Sequence, residues 1–318
     1  MSKGSWNVPQ TEQGLQEVIG RIGEYRATGD QLELGNGLLE LSHLVKWVRS
    51  DNDLPPFVRS HQLALEALEA FRSVGDAAGQ ARALVVASAM ADPQTRNAML
   101  TDAEQLAEIT GNEDYVAMVL AARGRGAGLS DQGQALEYTR RAMAIYRRSG
   151  NRTGLAQCLF SLAIKEEGNE VKRDHALEAA DVYRTLENFK EAARCTSLAF
   201  MYAKSIQPLE ELDSLARQGL QDAQQVGDRA QEGHFYSNLS LIAISKGEPE
   251  EAEKYRRWAA ELQDSDGLTA YERWESNVEM SKQMVAVAKA QGNREAEAMF
   301  KAELKRLKSN KPARTGRS

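Results

Sequence analysis

A chain of 318 residues is long for one compact core, which stops growing near ~250–300 residues, so it reads as two domains or as a solenoid. Apolar residues make up 42% and charged residues 27%, which excludes a disordered chain, and no apolar run approaches the ~20 residues of a transmembrane helix. The net charge of −6 hides an asymmetry: residues 301–318 carry +6, leaving −12 on residues 1–300, a balance that argues against a nucleic-acid-binding array, because phosphate binding needs a basic face.

Alanine, leucine, glutamate and arginine dominate, which favours helix over sheet. The start, MSKGSWNVPQ, lacks the apolar core of a secretory signal. Two cysteines, Cys158 and Cys195, do not make a disulfide framework, so the expected compartment is reducing and cytoplasmic.

In chain order, the pattern predicts an N-terminal segment and capping helix within residues 1–29, the helix itself over 12–28. Helical hairpins then follow over 30–75, 76–111, 112–150, 151–187, 188–227 and 228–267. Each is bounded by a short break: Gly29-Asp30, Gly75-Asp76, Gly111-Asn112, Gly150-Asn151, Gly227-Asp228 and the SDG at 265–267. At Glu187-Asn188 the glycine has been lost. From Gly75 to Gly267 the steps are 36, 39, 37, 40 and 40 residues, a period that signals stacked helical hairpins. Glycine ends a helix in the left-handed conformation without a Cβ penalty, and the following Asp or Asn caps the next helix. Capping helices are expected over 268–308 and a basic, disordered tail over 309–318, which holds Pro312 and Gly316 and no apolar stripe.

Packing positions align relative to these breaks. Eight residues before come Ala67, Ala103, Ala142, Ala179, Gly219 and Ala259. Six after come Ala81, Ala117, Ala156, Ala193 and Gly233, with Arg273 the departure. Small residues at fixed positions let helices approach closely, and larger ones flank them, such as Leu63, Met99 and Leu215 twelve before and Leu84, Leu120 and Leu159 nine after. Nine before the break the column reads Glu66, Asp102, Arg141, Glu178 and Gln218, an exposed set, and then Trp258. That tryptophan is expected to be covered, either by residues 268–308 through contacts such as Trp274 and Met280, or by a partner.

The residues of 236–262, YSNLSLIAISKGEPEEAEKYRRWAAEL, resemble the tetratricopeptide repeat superfamily through Tyr236, Leu239, Ser240, Gly247, Ala252 and Ala259. The hairpin after Gly111 fits through Gly128, Ala135 and Ala142. The resemblance covers about residues 30–267. The repeats are longer than usual for the family, like those of its longer-repeat bacterial sensors and scaffolds, and Gly35 and Gly37 inside the first hairpin's leading helix are unlike it. The resemblance implies an all-α, right-handed superhelical solenoid whose leading helices line a concave groove for a peptide, a helix or another protein. It places on that face the positions seven and fourteen after each break. The first column reads Asn36, Arg82, Met118, Gln157, Arg194 and His234; the second reads His43, Ala89, Arg125, Ile164, Met201 and Leu241. Neither holds an acid. The candidate groove residues are Arg82, Arg125, Gln157, Arg194, Met201, Lys204 and His234, with Trp258 a candidate interface, and the expected partner is an acidic peptide or helix with large apolar anchors.

No residues point to catalysis, and neither a cofactor nor a metal is expected. GRGAG at 124–128 has no preceding strand and no Gly-Lys-Ser/Thr, so it reads as a helix end and turn. DSDGLTAYERWE at 264–275 would put Leu262 and Arg273 where a calcium loop needs carboxylates. His43, His61, His175 and His234 lack ligand spacing, and the two cysteines read as small core residues. KEEGNE and EPEEAEK read as solvated turns. The expected function is a non-catalytic scaffold or adaptor. A peptide-responsive regulator whose superhelix changes shape on binding is the alternative, and nucleic acid is expected only at the basic tail.

Overall fold

The structure, a computed structural model, describes residues 12–45, 56–126, 132–263 and 294–311, together with Tyr271, Trp274, Glu275, Val278, Ser281, Lys282, Val285 and Lys289. Among the described residues there is no strand. The chain divides into two compact units, Met1–Leu162 and Ala163–Ser318, the division falling inside one helix.

The first unit holds α1 (Glu12–Thr28), α2 (Gln31–Leu44), α3 (Pro56–Ser73), α4 (Ala77–Ser88), α5 (Pro93–Ile109), α6 (Glu113–Gly126), α7 (Gln132–Ser149) and most of α8 (Arg152–Lys165). From α1 to α7 each helix packs on the next, and α2 meets α4 as α4 meets α6, so alternate helices stack side by side. The second unit holds α9 (Asn169–Thr185), α10 (Phe189–Ala203), α11 (Leu209–Gln225), α12 (Arg229–Ser245), α13 (Pro249–Gln263) and α14 (Arg294–Ser309). There α9 to α13 pack in sequence and α10 meets α12. This is the arrangement of a helical repeat, in which each hairpin buries its apolar stripe against the next. No helix among the described residues is long and apolar enough to cross a membrane.

The breaks work as local chemistry demands. Gly29, Gly75, Gly111, Gly150 and Gly227 take φ between 63° and 78°, and Glu187 takes the same left-handed place at φ 56°. The residue after each accepts from the next helix: Asp30 from Glu33 N, Asp76 from Ala78 N, Asn112 from Asp114 N, Asn151 from Gly154 N, Asn188 from Glu191 N and Asp228 from Gln231 N. Where hairpins turn without a glycine pair, Asp92 caps α5 and Pro93 opens it at the first position, where a missing N–H costs nothing.

Both small-residue columns are buried: Ala67, Ala103, Ala142 and Ala179 at 0% exposure, and Ala81, Ala117, Ala156 and Ala193 likewise. The glycines inside α2 and α8 have a packing reason. A Cβ on Gly35 would lie 2.7 Å from the Phe71 ring, and one on Gly154 would lie 2.6 Å from Tyr146. Gly35 and Gly154 each seat an aromatic ring of the neighbouring helix, while a Cβ on Gly37 would lie 3.0 Å from Ile22 of α1.

Three expectations need correction. Glu166, read as part of a solvated turn, is buried at 8% exposure. The tail does not begin at residue 309: Ser309 ends α14 with its hydroxyl donating to Lys305 O, and Lys311 lies over Trp274 and Tyr271, 5.1 and 5.5 Å from the ring centres. Residues 312–318 lie outside the described residues. Finally, Trp258 keeps 36% exposure, and among the described residues its ring neighbours belong to its own hairpin, not to Trp274.

Candidate functional site

In the first unit the face of alternate helices carries Asn36 on α2, Arg82 on α4 and Met118 on α6, all half-buried, and His43, Ala89 and Arg125, all exposed. Their immediate neighbours are buried: Ala81 and Ala83 beside Arg82, Ala117 and Val119 beside Met118. Arg82 Nη1 donates to Asn36 Oδ1 at 3.1 Å, so equivalent positions of adjacent hairpins touch. Arg125 is open to water, yet burial lowers its pKa from the ordinary guanidinium value. The end of α6 that bears it is pinned by Arg96, whose guanidinium donates to Gly126 O at 2.9 Å, Ser88 O at 3.1 Å and Ala91 O at 2.9 Å. Gln157 on α8 is exposed between buried Ala156 and Cys158.

In the second unit the corresponding face is apolar with a basic edge. Ile164 and Met201 are 49% and 46% exposed, and Leu241 is half-buried. Arg194 on α10 is exposed and pairs with Glu191 at 3.5 Å. Lys204, the residue after α10, and His234 on α12 are both exposed. They lie close enough to interact: burial first, and the Lys204 charge second, hold the His234 pKa below the ordinary 6.5.

Reading by columns missed two residues of α12. Asn238 is 8% exposed, and its Nδ2 is buried without a hydrogen-bond partner; Gln231 Oε1 is in the same state. A signal existed for the first. Eleven after the break the other hairpins carry Glu40, Val86, Ala122, Ser161 and Leu198, and an amide is foreign to that set.

Trp258 sits against Tyr236 at 5.2 Å and Tyr255 at 5.8 Å between ring centres, with Lys254 Nζ 4.9 Å over its face. Trp274, expected as its cover, instead packs on Tyr271 at 5.5 Å and donates from Nε1 to Leu307 O at 2.7 Å. Of the described residues of that segment, Val278 and Ser281 are buried, and Val285 packs on the second unit's core. Met280 lies outside the described side chains.

Chemistry elsewhere is sparse. Cys158 and Cys195 are free, buried thiols, pushed up by burial to about 11 and about 12. His61 Nδ1 lies 2.9 Å from Ala87 O. Among the described residues no three His, Cys, Asp or Glu are grouped to hold a metal ion. Gly124, Arg125 and Gly126 of the GRGAG stretch are the last residues of α6, while 127–131 and 264–270 lie outside the described residues.

No protein-family model and no curated protein matches the chain. Among solved structures it is similar to a circular tandem repeat protein with novel repeat topology and enhanced subunit contact surfaces, at 14% identity and a TM-score of 0.31, over 94% of this chain and 76% of that one. It is also similar to a de novo designed helical repeat protein, at 20% identity and a TM-score of 0.18, over 78% of this chain and 91% of that one. TM-scores this low do not establish a shared fold, so the architecture rests on the chain's own helices.

Proposed function

We propose that the chain is a non-catalytic protein-interaction scaffold of the tetratricopeptide-repeat kind, whose leading-helix face takes an acidic segment of a partner protein. One observation carries the reading. In a chain with 46 acids, the positions seven and fourteen after each break hold none, and in the second unit they expose Ile164 and Met201 beside Arg194, Lys204 and His234. Exposed apolar side chains on a face that also carries Arg194 and Lys204 suit a ligand with carboxylates around large apolar anchors. The charges steer approach and the apolar contacts hold.

Selection of displayed peptides against the immobilised chain tests this, with a counter-selection on the Arg194→Glu, Met201→Glu chain. The expected winners carry Asp or Glu around Leu, Phe or Trp, lose binding to the variant, and weaken as salt rises. Basic winners, or winners that bind the folded variant equally well, would remove the face from consideration.

A further inference from the structure

We propose that the outward face of α7 binds the phosphate backbone of double-stranded DNA. The site goes beyond the acidic-segment reading and does not rest on it, because α7 is the second helix of its hairpin and carries none of the leading-helix columns.

The argument starts from local charge. Residues 115–165 hold eight arginines and lysines against two acids, so this stretch is +6 within a chain of −6. Averaging over residues 1–300 hides it. Four of the arginines, Arg140, Arg141, Arg147 and Arg148, lie on α7 and are exposed. At about 100° of turn per residue they form two stripes about 100° apart, Arg140 with Arg147 and Arg141 with Arg148. Buried Ala135, Thr139, Ala142 and Tyr146 take the opposite side of the helix, and Glu137 is the one acid on α7.

The repeat does not ask for these arginines. The same four places before the break hold one basic residue in α3 (Arg72), none in α5, one in α9 (Arg184) and one in α11 (Arg217). Cations in a last turn complement the helix dipole, which accounts for Arg147 and Arg148 but not for Arg140 and Arg141 in mid-helix. Internal pairing does not cancel the face either. Arg148 pairs with Glu113, but both side chains are exposed, where such a pair is weak, and Arg141 makes no hydrogen bond or ion pair among the described residues.

What the face lacks decides the kind of anion. None of the exposed large apolar side chains lies on α7, whereas a protein interface is held by apolar anchors and a membrane-surface helix by an apolar face. Tyr138 is half-buried and Tyr146 buried, so no ring stands ready to stack on unpaired bases. A duplex backbone asks only for cations, and the forked guanidinium suits phosphate. The major groove of B-form DNA admits a helix, whereas that of duplex RNA is too narrow. With the ridge of α7 toward that groove, its two stripes face the two strands. Along each stripe the step of seven residues, about 10.5 Å, matches about three base steps of one strand.

The probe is a short fluorescein-labelled DNA duplex of arbitrary sequence, followed by anisotropy on the full chain over a series of salt concentrations. The logarithm of affinity should fall against the logarithm of salt with a slope of about −3 to −4, four phosphate contacts in all. Arg141→Gln should reduce that slope by about one, and Arg141→Gln with Arg148→Gln by about two, with circular dichroism unchanged. Arg194→Glu, on the leading-helix face, should leave duplex binding as it was. No binding at low salt, or a slope untouched by the double variant, overturns the inference. So does a loss of binding in Arg314→Gln, Arg317→Gln, which would move the contact to the end of the chain. Duplex RNA or phosphatidylglycerol vesicles bound as tightly as the DNA would overturn the choice of ligand. None of these results touches the acidic-segment reading, which the peptide selection tests by itself.

Discussion

Glu187 occupies the place that glycine holds at the other pairs. Its φ of 56° is left-handed, and the turn is closed by Glu187 N donating to Arg184 O and Asn188 N to Tyr183 O, both at 2.9 Å. The side chain is exposed, so Glu187→Gly removes no packing. An L-residue in this region costs about 1–2 kcal/mol, which glycine escapes, while the greater freedom of glycine in the unfolded chain returns about 0.5–1 kcal/mol. The net expectation is a gain of about 0.5–1 kcal/mol, read as a higher urea midpoint by circular dichroism with an unchanged slope. The reciprocal change, Gly150→Glu, places the same side chain on a backbone at φ 78° and, by the same balance, should lose about 0.5–1 kcal/mol. A lower midpoint for Glu187→Gly, or a silent Gly150→Glu, would refute the claim that these breaks are governed by left-handed backbone.

Asp222 is 4% exposed and takes Arg184 Nε at 2.9 Å and Nη2 at 2.8 Å, while Arg184 also donates to Thr196 Oγ1 and Asp181 Oδ1 at 2.7 Å, tying α9, α10 and α11 together. Asp222→Ala removes the buried carboxylate but leaves Arg184 its ion pair with Asp181, and should cost about 1.5–3 kcal/mol in denaturant melts; a loss well under that would mean water replaces the carboxylate. Cys158 and Cys195, held protonated by pKa values of about 11 and about 12, should resist a thiol reagent at mildly alkaline pH until urea unfolds the chain, and prompt modification of the native protein would show that they are not in the core. The His234 pKa lies below 6.5, so the unfolded chain takes up that proton first, and the stability present above 6.5 is lost as pH falls toward the folded value. His234→Gln should flatten this part of the pH dependence of the melting midpoint, whereas an acidic peptide bound beside His234 should bind more tightly as pH falls; no difference between variant and wild type would place His234 fully in solvent.

The helices and their ends were legible in the chain because they are local. A glycine before Asp or Asn stops one helix and caps the next within a few residues, and a helical period writes the buried stripe as alanines at constant distance from each stop, from Ala67 to Ala259. The same rule exposed the two columns without acids, and it let Glu187 be recognised as a break although its glycine was gone. Other features needed the tertiary structure, because they depend on which side chains meet across hairpins. KEEGNE looks like a solvated turn, but Glu166 within it is buried. Trp258 is foreign to its column, but only the packing of α12 on α13 decides that Tyr236 and Tyr255 lie against it, while Trp274 turns to Leu307. Arg184 finds Asp222 across 38 residues of sequence, and no spacing announces it. The orphaned amides of Gln231 and Asn238 are the extreme case. A sequence gives a residue's type and its side of a helix, whereas an unmet hydrogen bond exists only once every neighbour that might have met it has been placed.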